Sequence, residues 1–135
     1  MKTVAFPHSA SLATTTTATP RPEGTLSLIG NRPNPDVPFG YVLVDSGADY
    51  IVLPEKAGLL AGIALPSKPT TTLHGVGGIV GAALVRGLAL EFQTLRIAAD
   101  VLFDYSNAAP PLFGRSGLRA LRDIGLDPSD WHWNP

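Results

Sequence analysis

The chain has 135 residues, of which 44% are hydrophobic and 16% charged, with a formal net charge of -1 and no cysteine. That length fits a single domain and that composition can bury a core, which excludes a disordered chain. The balanced charge argues against nucleic acid as the main partner, since phosphate binding needs clustered Lys and Arg; the lack of Cys excludes disulfides, thiolate catalysis and zinc–thiolate sites.

In chain order, residues 1–24 read as an N-terminal arm and residues 25–135 as the folded domain. Pro7, His8 and Ser9 interrupt any apolar run after Lys2, so no signal peptide is expected. Residues 9–24 are rich in Ser, Thr, Ala and Pro and read as an extended or mobile arm, either without function or in contact with a second copy. Thr25 to Ile29 is a strand, and Asn31 to Pro38, with its prolines and asparagines, is a loop. Phe39 to Val44 and Tyr50 to Leu53 are strands on either side of a turn at Asp45. Pro54 opens a short helix over Glu55 to Leu60, because its missing N–H is unpaired there anyway, and Gly62 ends it.

Thr70 to Leu73 suits a strand. Gly75, Gly77, Gly78 and Gly81 cluster at a hairpin tip, and Ala82 to Phe92 returns as a strand with Gly87 as a kink or bulge. Leu95 to Phe103 is another strand and Asn107 to Pro111 a turn. Leu112 and Phe113 form a short buried strand leading to Gly114. Leu118, Leu121 and Ile124 have helical spacing within Ser116 to Ile124, with Gly125 as a C-cap candidate. Arg115, Arg119 and Arg122 fall on the solvated face of that helix. The expected fold is all-β: a small closed β-barrel with one short C-terminal helix. No run approaches the roughly 20 apolar residues that span a bilayer, so no membrane partner and a cytoplasmic location are expected. His8, His74 and His132 show no metal-ligand spacing, and no metal or cofactor is expected.

The most informative stretch is Val42-Leu43-Val44-Asp45-Ser46-Gly47-Ala48-Asp49-Tyr50-Ile51-Val52-Leu53-Pro54. A lone Asp rarely ends an apolar strand for stability, because burying an unpaired charge is costly. Strand, acid, tight turn and strand together hold a carboxylate at the floor of a cleft. The segment resembles the active-site loop of the retropepsin family, the small single-domain aspartic proteases of retroviruses and their bacterial and eukaryotic relatives. His74-Gly75-Val76-Gly77-Gly78 resembles that family's glycine-rich flap. Pro110-Pro111-Leu112-Phe113-Gly114-Arg115 resembles its second hallmark, two apolar residues followed by Gly-Arg or Gly-Asn.

The resemblance implies a retropepsin-type barrel and an aspartic endopeptidase with Asp45 as its catalytic carboxylate. Hydrolysis of a peptide bond by water needs two carboxyls sharing one proton. The chain offers one Asp-Ser-Gly, so the dyad forms only across a homodimer. Ser46 supplies a hydroxyl that can bond across the dimer axis. Gly47 and the small Ala48 allow close approach to the acid. Asp49 and Arg115 match positions that pair and brace the loop. Leu43, Val52 and Leu112 match positions lining the substrate subsites, with plain core packing as the other reading. Gly75, Val76, Gly77 and Gly78 would form the mobile flap over a peptide or protein substrate.

Two other readings compete. Gly75, Gly77 and Gly81 followed by a helical Ala82 to Phe92 would make a dinucleotide-binding turn, although Thr70 to Thr72 is not a buried apolar strand and the chain is short for a doubly wound domain. A retropepsin-like fold could also serve as a catalytically weak peptide-binding or assembly module. The intact Asp45, Ser46 and Gly47 favour the enzyme. Relatives often continue after Gly-Arg with Asp or Asn, where this chain has Ser116-Gly117-Leu118. They also often end in a strand that joins the dimer's terminal sheet, and neither terminal strand is legible around Trp131 and Trp133 or at the N-terminus.

Overall fold

Alternation of apolar with small or polar residues, the period of a strand, is clear in Leu88-Ala89-Leu90-Glu91-Phe92 and Leu95-Arg96-Ile97-Ala98-Ala99. The structure, a computed structural model, describes residues 4–9, 21–75, 78–126 and 131–134. Among these, the strands are β1 (Val4–Ser9), β2 (Arg21–Leu28), β3 (Val37–Val44), β4 (Ile51–Pro54), β5 (Thr71–Gly75), β6 (Gly78–Phe92), β7 (Leu95–Asp104), β8 (Leu112–Phe113) and β9 (Trp131–Asn134). Two short helices accompany them, α1 (Glu55–Leu60) and α2 (Arg115–Asp123).

Neighbouring strands run β6-β7-β4-β8-β3-β2, and β2 pairs back onto β6 through Leu26 with Phe92 and Leu28 with Leu90. That pairing closes a six-stranded barrel and confirms the small all-β barrel. β5 extends it beyond β6, and β1 and β9 extend it beyond β2. Gly87, at φ 65°, sits where the β6–β7 register shifts between Val85 and Leu88. It is the bulge expected there.

Inward-facing residues fill the barrel. Leu26, Leu28, Val42, Ile51, Leu53, Leu90, Phe92, Val101, Phe103 and Phe113 are all buried in one cluster. Phe92 and Phe113 stack with ring centroids 3.9 Å apart. Fully burying each such side chain contributes about 1.5–3 kcal/mol. α2 closes one end of the barrel with Ala120 and Leu121, joined by Leu126 beyond it. Both helices stop on a left-handed glycine whose N–H bonds back into the last turn. Gly62 N–H donates to Leu59 O at 3.1 Å and Ile63 N–H to Gly58 O at 2.9 Å. Gly125 N–H donates to Arg122 O, and Leu126 N–H to Leu121 O, each at 2.9 Å.

The structure departs from the sequence reading at the chain ends. β2 begins at Arg21 rather than Thr25, so the last residues assigned to the arm belong to the sheet. β1 pairs in parallel with β9, from Val4 opposite Trp131 to Pro7 opposite Asn134. These are the terminal strands that local sequence did not reveal. The Thr-rich part of the arm, residues 10–20, lies outside the described residues. No helix among the described residues is long and apolar enough to cross a membrane.

Candidate active site

β8 lies between β3 and β4, parallel to the first and antiparallel to the second. The Asp45–Tyr50 turn joins β3 to β4 and therefore wraps around the end of β8. Alternation along β3 turns Val42 and Val44 toward the barrel core, while Leu43 and Asp45 line the cleft on the other face. Asp45 continues the ladder, its N–H donating to Phe113 O at 3.0 Å.

The carboxylate is oriented by its own turn. Gly47 N–H donates to Asp45 Oδ1 at 2.9 Å, and Ala48 N–H donates to the Asp45 carbonyl at 3.2 Å. A Cβ at Gly47 would lie 3.1 Å from Oδ1, tighter than an ordinary contact. Among the described residues Oδ2 accepts no hydrogen bond, which leaves that oxygen available on the cleft side. Ser46 is exposed on the same turn.

The turn also caps α2. Arg115 N–H donates to Ala48 O at 2.8 Å and Ser116 N–H to Asp49 O at 3.0 Å. Two of the N–H groups that a helix leaves unpaired at its start are satisfied this way. Asp49 and Arg115 form the expected ion pair through Oδ1 and Nη2. Both side chains are more than half exposed, so the pair itself contributes at most about 1 kcal/mol. Ser116, the next residue of α2, is buried. Its hydroxyl accepts Ile51 N–H at 2.8 Å and donates to Asp100 O at 2.7 Å, tying α2 to β4 and β7.

Above the carboxylate is a cleft of about 770 Å³. Its floor is a row of apolar side chains crossing the barrel at one level. Leu43 pairs with Leu112, Leu112 with Val52, Val52 with Leu102, and Leu102 with Leu84. Val52 and Leu102 are buried, and Leu84, Leu112, Leu73 and Tyr50 pack against them in a cluster separate from the barrel core. Leu43, Val52 and Leu112, singled out from sequence, thus share one face, and Leu102 and Leu73 join them. Leu102 lies in the continuous apolar run Val101-Leu102-Phe103, buried on both faces of the sheet, and its place in the row depends on register with β4.

The roof is the β5–β6 hairpin. Its last pair is Gly75 with Gly78, the latter at φ 111°. Thr72, Leu73, Gly78 and Val80 line the cleft from it. Val76 and Gly77, expected at the flap tip, lie outside the described residues. The dinucleotide-binding reading fails here, because Gly78–Phe92 is a strand antiparallel to β5 and no helix follows the glycines.

The remaining wall is residues 106–110, with Ser106, Ala109 and Pro110 on the cleft. In sequence, Asn107 to Pro111 reads only as a turn. Asp104, at its start, is fully buried. Its carboxylate accepts Ser106 N–H at 2.8 Å, the Ser106 hydroxyl at 2.7 Å and Ala109 N–H at 2.9 Å. The Asp-x-Ser spacing, an Asx-turn pattern, was the available signal. Burial pushes this carboxyl up, but the Ser106 hydroxyl and the Ala109 and Ser106 N–H groups outweigh it, so its pKa lies below the ordinary value.

The arrangement offers one oriented carboxylate, an apolar floor, a hairpin roof and a hydrogen-bonded wall. Compared with family models and with curated proteins, the sequence matches none.

Proposed function

We propose that this chain is an aspartic endopeptidase of the retropepsin type, active as a homodimer. The observation that carries the reading is Asp45. Its carboxylate stands on a hydrogen-bonded turn at the floor of the cleft, with one oxygen held by Gly47 N–H and the other available, while Asp49, the other carboxylate lining the cleft, is paired with Arg115. One such group per chain does not suffice for acid–base hydrolysis, and a second copy supplies the other. Two carboxyls in contact cannot both ionise, so the pair holds one proton. The ionised member takes a proton from water as it attacks the peptide carbonyl, and the protonated member donates to the carbonyl oxygen. Ser46, exposed beside Asp45, supports the contact between the two turns. The row Leu43, Leu112, Val52 and Leu102 takes apolar side chains of an extended peptide or protein substrate. The β5–β6 hairpin closes over it and excludes water. The reading needs no metal or cofactor, and a cytoplasmic location fits it.

The test is cleavage of a peptide library by purified protein beside Asp45→Asn. Asp45-dependent cleavage by a dimeric species supports the proposal. Peptide binding with no Asp45-dependent cleavage would replace it with the binding or assembly module.

A further inference from the structure

Asp104 is the only carboxylate among the described residues that is fully buried. A buried charge is costly unless its oxygens are hydrogen-bonded, and here the three donors all come from the five residues that follow it. The carboxylate therefore shapes that segment. The outer side of the segment is pinned separately: Tyr105 O–H donates to Pro66 O at 2.6 Å, and Lys56 N–H donates to Asn107 Oδ1 at 3.0 Å. The inner side, Ser106, Ala109 and Pro110, faces the cleft next to Leu112. Asp104 itself follows Leu102 on the same face of β7 at strand period, so the wall is anchored to the strand that supplies the floor.

We propose, resting on the peptidase reading above, that Asp104 is a positioning residue for substrate selection. It folds residues 105–109 into the wall against which a side chain next to the scissile bond packs, and so sets the size of side chain accepted. Asp104→Asn tests this nearly isosterically. An amide has one acceptor oxygen, so its NH2 must face Ser106 or Ala109 as donor against donor, and one end of the wall is released.

The experiment uses full-length protein and peptides that differ only in the residue beside the cut bond, graded from Ala through Val and Leu to Phe. Wild type is expected to rank them sharply. Asp104→Asn should raise KM for the preferred peptide about tenfold and flatten the ranking, with a smaller effect on kcat. Ser106→Ala, an exposed change that removes the hydroxyl donating to Asp104 and accepting Ala108 N–H, should shift KM the same way by a smaller factor and keeps the test open should Asp104→Asn fold poorly. Folded variants with the KM and ranking of wild type would overturn the positioning role and leave the peptidase reading standing. A wild type that cleaves no peptide would overturn both, and the wild-type rate tells the two failures apart.

Discussion

Gly114 lies so close to the carbonyl oxygen of Tyr50 that a Cβ there would overlap it, with the Ala48 carbonyl 2.6 Å away on the same side. Both oxygens are backbone and cannot step aside without moving the turn that carries Asp45. Gly114 is thus the point where the segment from Leu112 to Arg115 and the Asp-Ser-Gly turn lock together. Gly114→Ala is expected to cost about 1–3 kcal/mol in denaturant unfolding. It should also lower Asp45-dependent cleavage more than the stability loss explains, because the carboxylate is displaced. Unchanged stability and cleavage would show that the turn tolerates the shift.

Asp45→Asn should lower peptidase activity by about 10³-fold or more. Stability should barely change, since the amide oxygen can still accept Gly47 N–H. Mixed with wild-type chains, the variant should inhibit them, because a mixed pair holds one ionisable group. Wild-type activity per chain should fall on dilution as sedimentation shows the dimer dissociating. An active monomer in the sedimentation run would end the dimer argument.

The Asp49–Arg115 ion pair is exposed, and the backbone bonds of Arg115 and Ser116 to the turn do not depend on it. A double-mutant cycle with Asp49→Ala and Arg115→Ala should give a coupling below about 1 kcal/mol that shrinks with salt. A larger coupling would mean that the side chains, rather than the capping carbonyls, hold the turn on α2.

The pKa of Asp104 is lower in the folded protein than its ordinary 3.8. A carboxyl shifted this way stabilises the fold fully above its unfolded pKa, and the contribution is lost as pH falls through the lower folded value. Wild type should exceed Asp104→Asn by about 1–3 kcal/mol at neutral pH. The gap should hold down to the ordinary carboxylate range and close only below it. Unfolding curves of both proteins from about pH 7 to about pH 2 check this. A gap that already closes near neutrality would contradict the lowered pKa.

Local pattern was sufficient for much of this protein. Strand alternation, the Asp45 turn between apolar runs, the bulge at Gly87, the spacing of Leu118, Leu121 and Ile124, and the stop at Gly125 are properties of a few consecutive residues. Backbone sterics and side-chain periodicity act over that range. What the tertiary structure decided is register across distance. Val4–Ser9 and Trp131–Asn134 pair from opposite ends of the chain, and no local signal marks a parallel ladder whose partner is that remote. Leu43, Leu112 and Val52 stand out in the sequence only by resemblance, and it is the order β3-β8-β4-β7 that sets them side by side with Leu102. A shift of one residue in any of these pairings would turn that strand's member of the row into the barrel core. Asp104 falls between the strand ending at Phe103 and the turn beginning at Asn107 in the sequence, with no role of its own. Only the packing of β7 between β6 and β4 buries it and makes its hydrogen bonds to the following loop worth keeping.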